Sequence, residues 1–350
     1  MPIEAKRTAE LEVRVQLAAI SEPGDPITST LIHRYGAEQT IRLAQDVSDS
    51  IPDGITPQGF EDWQTRLNTR LRTDTVQRVL DACEKRGIAV TIPGDPDWPA
   101  TLDDLKMPPI ALFQRGDTSM LAEALDRRIA LLGAKAATSY GEHLAAETAA
   151  ELANDERVIV STGEYGISGA AHRATLSSGG SSIAVFATGL DRPYPAGHAD
   201  LAERIAERGA IVSELPPGSA PTRWRMMQRG RIVAAASAVT VIVEASTRSS
   251  TLITADHARQ LGRPVAAFPG PVTSIASAGT NLLIASGTAQ LVTGPRDIRD
   301  FVDNDPTGTI ALAATRETPG DASPERRARL PILDPAQSRP AQRPGPALGA

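Results

Sequence analysis

From residue 127 onward the chain alternates short apolar runs with segments of helix length, and that alternation limits it to one broad class of fold. The runs are RIALLGA, RVIVST, SIAVFATG, AIVSE, AVTVIVEA, PVAAFPG and AQLV, each bounded by Gly, Ser or Pro. Most are separated by YGEHLAAETAAELAND, GAAHRATLSSG, DLAERIAERG and LITADHARQLG, each long enough for a helix. Short strands that are apolar on both faces suit a parallel sheet covered by helices on its two sides. The pattern predicts an α/β fold over residues 121–303: a Rossmann-like parallel sheet with helices on both faces.

A small all-helical module is expected before it, over residues 1–90, of the SAM or helix-hairpin-helix kind. TAELEVRVQLAAI has helical apolar spacing and is stopped by Pro23, Gly24 and Pro26. TSTLIHRYGAEQTIRLAQ and DWQTRLNTRLRTDTVQRVLDACEKRG read as further helix, the last ending at Gly87. Residues 91–120 are rich in Pro and Asp and read as a linker ending in a short strand, Ile110 to Phe113. The stretch 304–350 carries eight prolines from Pro306 to Pro346 and only isolated apolar residues, the composition of a disordered tail.

Composition narrows the function classes. The 350 residues are 41% hydrophobic and 22% charged, ordinary values for a soluble protein, whereas 3% aromatic is low. No run approaches the roughly 18 apolar residues of a membrane span, and the start MPIEAKRTAE has acids in place of a secretory apolar core. A cytoplasmic protein without membrane contact is expected. Cys83 is the only cysteine, which excludes an internal disulfide and a multi-cysteine zinc cluster. No carboxylates gather with histidines at ligand spacing, so no metal, cofactor or catalytic residue is expected. The net charge of −6 argues against broad polyanion binding but leaves room for a local basic groove.

Where parallel strands end, backbone N–H groups and helix N-termini favour anionic ligands. After the first strand, GAKAATSYG places Gly133, Lys135 and Thr138 in such a loop. After the second, STGEYGISGAAH offers Ser161 and Gly166, with His172 one turn inside a helix, where a structural hydrogen-bonding role is expected. Leu215 to Val243 holds no acid, while Arg223, Arg225, Arg229 and Arg231 surround Trp224. Arginines around an aromatic suit phosphate contact with base stacking; the same run also suits the solvated basic face of a helix. EASTRSST brings Ser249 and Thr251 to the start of another helix at the same sheet edge.

Taken together, Gly-Leu-Asp-x-x-Tyr-Pro at 189–195, Ser-Glu-x-Pro-x-Gly at 213–218, Arg-x-Arg-Ile-Val at 229–233 and Phe268-Pro269-Gly270 resemble the DNA-processing family DprA (Smf). Gly133, Thr138, Tyr140 and Gly141 match that family's first loop, with Lys135 where it has arginine. Ser161, Gly166, Ile167, Ala171 and His172 match the second, where Thr162, Glu164 and Ser168 replace Gly, Ala and Asp. Arg229, Arg231, Ile232 and Ser237 match the third, with Gly230 in place of asparagine. Ser249, Thr251, Thr254 and Ala255 match the fourth, with Ser250 in place of glycine. The resemblance runs from about residue 90 to 302 and stops where many members carry a winged-helix-like domain, which this chain is expected to lack.

The resemblance implies a non-enzymatic protein that binds and protects single-stranded DNA, loads the RecA recombinase in recombination and natural transformation, and forms a homodimer. Gly133, Lys135, Thr138, Ser161, Gly166, Trp224, Arg229, Arg231, Ser249 and Thr251 are its implied DNA or phosphate contacts. The altered loop positions suit a divergent paralogue. Two other readings stay open: a Rossmann-like nucleotide sensor or hydrolase, and a paralogue that has lost DNA binding and acts through protein partners. The Pro-Gly-Gly-x-Gly-Thr-x-x-Glu signature of the cytokinin-activating phosphoribohydrolases is absent, and GAKAAT does not fit the dinucleotide fingerprint.

Overall fold

The computed structural model describes residues 3–45 and 51–304; the proline-rich stretch expected to be disordered lies outside the described residues apart from residue 304. Four helices come first: α1 (Ile3–Ile20), α2 (Pro26–Gln45), α3 (Pro57–Arg70) and α4 (Thr75–Arg86). Thr56 caps α3 by accepting from the Gly59 N–H at 3.2 Å, with Pro57 at the first helical position. The continuous helix expected from Asp62 to Gly87 is broken between α3 and α4. Leu71 turns to an extended conformation (φ −72, ψ 124) and folds back onto the module's core. Gly87 ends α4 in the left-handed region (φ 60), and the next N–H, of Ile88, returns to Cys83 O at 2.9 Å.

Leu17, Ile20, Leu31, Ile41, Phe60, Trp63 and Leu67 form the core of this module, and the Trp63 indole N–H donates to Thr28 Oγ1 at 2.8 Å. The opposite side of α1, through Val15 and Ala18, joins a second cluster with α4 and the sheet. One helix therefore fastens module to sheet.

The sheet begins with β1 (Ala89–Thr91) and β2 (Leu112–Gly116), followed by β3 (Arg128–Leu132), α5 (Ser139–Asn154), β4 (Val158–Thr162), α6 (Ile167–Ser177), β5 (Ser182–Val185), α7 (Ala199–Arg208) and β6 (Ala210–Ser213). It continues with α8 (Arg223–Ala235), β7 (Val239–Ile242), α9 (Thr251–Gln260), β8 (Val265–Ala267), α10 (Ala278–Ala285), β9 (Gln290–Leu291) and α11 (Pro295–Asn304). All seven expected strands are present and mutually parallel, in the order β6-β5-β4-β3-β7-β8-β9.

Residues 91–120 are not a linker. β1 and β2 extend the same sheet antiparallel beyond β6, and Trp98, Leu102, Leu105, Met120 and Leu121 are buried in its core. Successive side chains on a strand face opposite sides. Ala130 and Leu132 accordingly pack with α8, α9 and α10, and Ile129 and Leu131 with α5, α6 and α11. The chain runs from β3 toward β4 on one side and crosses from β6 to β7 on the other, so a crevice opens between the carboxyl ends of β3 and β7. In sheets of this kind that crevice is where ligands bind.

Candidate nucleic-acid interface

At the crevice between β3 and β7 the expected phosphate loop is filled by the protein's own carboxylate. Glu244, immediately beyond β7, is buried and accepts from the Thr138 N–H at 2.9 Å and the Thr138 hydroxyl at 2.6 Å. Thr138 also caps α5, accepting from the Gly141 N–H at 3.2 Å. A methyl group at Gly141 would overlap the Glu244 carboxylate, so only glycine lets this acid lie over the start of α5. Gly133 is walled in by Ile167 and the Glu244 carbonyl, and its own carbonyl accepts from Thr251 Oγ1 at 3.3 Å. Ser249 accepts from the Thr251 N–H at 3.2 Å. Of the expected contacts, Gly133, Thr138, Ser249 and Thr251 are thus brought together, but as a mutually bonded loop cluster with Glu244 in the anion's place.

The loop after β4 is also internally satisfied. Ser161 is fully buried and its hydroxyl reaches Leu131 O at 2.6 Å and Ser168 Oγ at 2.9 Å. Thr162 Oγ1 lies 2.9 Å from the same Ser168 hydroxyl, so two of the three residues that depart from the family pattern in this loop form one network with Ser161. His172 is enclosed between Ser182 Oγ at 2.6 Å and Thr162 O at 3.1 Å. Burial pushes its pKa down to about 4, which keeps the ring neutral. Gly166 takes φ 70 and packs against the carbonyls of Ala134 and Lys135. Ser161 and Gly166 therefore shape the loop from within.

The basic stretch is not a basic patch. The Arg231 guanidinium is 2% exposed and doubly bonded to Glu214, both distances 2.6 Å, with further bonds to Met107 O and Gln228 O. Arg229, 5% exposed, pairs with Glu164 at 2.8 Å. Arg225 grips Glu22 of the helical module, and the Trp224 indole N–H donates to Pro23 O at 2.9 Å. Each acid comes from outside the acid-free segment, so folding neutralises three of the four arginines of what looked like a local cationic run. Gly230 has a packing reason as well: any side chain there would strike Thr254 of α9. Lys135, half-exposed, meets the second Glu164 oxygen at 2.5 Å.

What the strand-end loops and the first turns of the helices after them expose is aromatic. Tyr140 follows β3, Tyr165 follows β4, Tyr194 follows β5 and Trp224 follows β6, and they are 45%, 48%, 47% and 43% exposed. Three of the chain's four tyrosines thus stand at the carboxyl ends of adjacent parallel strands. Tyr165 rests edge-on against His198 at 4.5 Å, and the Tyr140 hydroxyl donates to Pro269 O at 2.9 Å, so both rings are braced. Arg192 and Arg248, in the loops after β5 and β7, and Arg223, the first residue of α8, are exposed, and among the described residues their side chains have no bonded partner. Tyr165, Tyr194, Arg192 and Arg248 were not among the expected contacts. The available signal was scarcity: in a chain with 3% aromatics, tyrosines recurring just past strand ends are conspicuous.

The model of the family described as DNA recombination-mediator protein A matches residues 89–303, from the first residue of β1 into α11. The chain belongs to the DprA family. It is 44% identical over 265 residues to a putative DNA processing protein DprA of Mycobacterium tuberculosis, a match covering 72% of this chain and 66% of that relative's length. To the DNA processing protein DprA of Bacillus subtilis it is 32% identical over 221 residues, covering 63% of this chain and 73% of the relative. The crystal structure of DprA from Streptococcus pneumoniae superposes with a TM-score of 0.64 at 27% identity, over 81% of this chain and 94% of that one. DprA from Helicobacter pylori, whose structure is described as revealing its single-stranded DNA binding mode, superposes with a TM-score of 0.56 at 29% identity, over 62% and 96%. The DprA fold thus includes β1 and β2, which the strand pattern alone had left outside.

Among the described residues no helix is long and apolar enough to cross a membrane, and no three His, Cys, Asp or Glu side chains gather as a metal site would require.

Proposed function

We propose that this DprA-family chain is a non-enzymatic, cytoplasmic DNA-processing protein that binds single-stranded DNA across the loops after β3, β4, β5 and β6. The observation that carries the reading is the row Tyr140, Tyr165, Tyr194 and Trp224, one exposed ring in each strand-to-helix connection or the first turn of the helix that follows, interspersed with Lys135, Arg192 and Arg223. Bases of any sequence stack on aromatic faces while cations follow the phosphates, and a duplex hides its base faces from such a platform. The single-stranded DNA binding named for the Helicobacter relative supports the same ligand class. Arg231 and Ser161 are left out of the interface because their polar groups are buried and bonded within the fold. Gly133, Thr138, Gly166, Ser249 and Thr251 hold its shape, and Lys135, Trp224 and Arg229 belong to its floor and rim.

Glu244 argues against a nucleotide sensor or hydrolase, because the Thr138 N–H and hydroxyl at the switch point, which would hold a mononucleotide phosphate, already donate to a carboxylate. Delivery of the bound strand to the RecA recombinase, in recombination or transformation, is part of the proposal by family resemblance. A homodimer is supported by Val272, Ile275, Leu282 and Leu291, large apolar side chains left exposed near the edge strand β9.

Fluorescence anisotropy of labelled oligonucleotides at several salt concentrations tests the reading. The single strand should bind more tightly than the duplex, with log affinity falling linearly against log salt. Equal affinity for both forms, or affinity indifferent to salt, would remove it.

A further inference from the structure

Glu164 stands between two cations of the interface. One carboxylate oxygen lies 2.5 Å from Lys135 Nζ, in the loop after β3, and the other lies 2.8 Å from Arg229 Nη2, on α8. Two cations joined by the two oxygens of one anion is the arrangement in which a phosphodiester would be held. Tyr165, the exposed ring of the same loop, is the next residue.

The other buried pair nearby, Arg231 with Glu214, is closed: two parallel bonds, both partners out of water, and further carbonyls on the guanidinium. Glu164 is held differently. It makes one contact to each cation, and the Lys135 side chain on one of them is 51% exposed, so the group can be reached from solvent. The buried Arg229 Nε–H has no acceptor among the described residues. Desolvation lowers the Arg229 pKa more than Glu164 raises it. A guanidinium stays charged in this setting, so if Glu164 swings away some other anion must take its place.

We propose that Glu164 occupies the position of a backbone phosphate, an internal anion that competes with phosphate for Lys135 and Arg229 and lowers this chain's affinity for the DNA backbone. The inference rests on the single-stranded DNA reading for its biological ligand, but the competition for phosphate can be read without DNA. It gives the loop after β4 a regulatory role: a strand gains this contact only by displacing the carboxylate.

Glu164→Ala and the nearly isosteric Glu164→Gln test it, each first shown to be folded by circular dichroism. Inorganic phosphate at millimolar concentration should raise the melting temperature of Glu164→Ala above its value in chloride of equal ionic strength, and should leave the parent protein unmoved. Both variants should bind single-stranded oligonucleotide more tightly, on the order of ten-fold, with a salt slope steeper by about 0.7 for one added phosphate contact. Adding Lys135→Met to Glu164→Gln should remove most of the gain. Folded variants with neither phosphate stabilisation nor altered DNA affinity would overturn the inference while leaving the DNA reading intact. Phosphate stabilisation of Glu164→Ala in proteins that bind no oligonucleotide would keep the competing carboxylate and overturn the DNA reading. If Glu164→Ala does not fold, Glu164→Gln alone decides, by the same two measurements.

Discussion

The Arg231 guanidinium and the Glu214 carboxylate face each other through two parallel bonds of 2.6 Å, with both groups almost wholly out of water. Removing one member of a buried pair strands the other charge, at a cost of about 3–5 kcal/mol. Arg231→Ala should therefore lower the urea midpoint markedly, and the fraction that remains folded should keep the salt slope of DNA binding. Replacing both partners, as Arg231→Met with Glu214→Leu, should recover most of the stability. A single variant of normal stability but reduced salt slope would return Arg231 to the DNA interface.

Acid should weaken the fold through its histidines. Burial holds His172 at a pKa of about 4 in the folded chain against 6.5 for the free side chain. As pH falls through about 6.5 the unfolded chain takes up a proton that the folded chain refuses until about pH 4. Stability contributed by the neutral ring is complete above that window and is lost as pH falls across it, by at most about 3.5 kcal/mol. His198 and His257, both lowered by desolvation, act in the same direction. Urea midpoints between pH 7.5 and 4 should drop accordingly, and the drop should be smaller in a folded His172→Asn variant. Equal drops would show that other groups set the acid response.

Cys83 reports on the helical module. Its thiol, buried in α4, is pushed up to about 12, chiefly by desolvation. At pH 8 only roughly one thiol in ten thousand is then the reactive thiolate. Native protein should react with a thiol-specific chromogenic disulfide only as the module opens, and urea-unfolded protein at once. Stoichiometric labelling of native protein within seconds would contradict this burial.

Tyr165→Ala should weaken single-stranded DNA binding by about 1–3 kcal/mol, the usual loss for one stacked base. The ring is about half in solvent, so the melting temperature should move little. A large loss of stability with unchanged DNA affinity would make the ring a structural support for His198.

Six of the seven expected strands were legible because each is short, apolar and covered on both faces, so the run itself marks the element; the exposed edge strand β9 was marked by its short apolar run alone. β1 was not legible, and β2 only in part, as the short strand expected from Ile110 to Phe113, because AVT and LFQRG sit at an antiparallel edge amid prolines and aspartates; β2 is fixed by pairing with β6, and β1 by pairing with β2. α8 misled for an electrostatic reason. Arg225, Arg229 and Arg231 read as phosphate contacts or as a solvated cationic face, yet their acids Glu22, Glu164 and Glu214 arrive from other elements, Glu22 from 203 residues away. In the first loop, glycine and a helix start were correctly expected beside Thr138. What they face, the Glu244 carboxylate, comes from the loop after β7, beyond the chain crossover.

The most direct test of the DNA-binding surface is photocrosslinking with single-stranded oligonucleotides carrying halogenated pyrimidines, followed by mass spectrometry of the peptides. Adducts should fall on Tyr140, Tyr165, Tyr194 or Trp224, and excess unlabelled single strand should compete them away while duplex does not. Adducts confined to the helical module or the far edge of the sheet, with these four rings unmodified, would contradict the account.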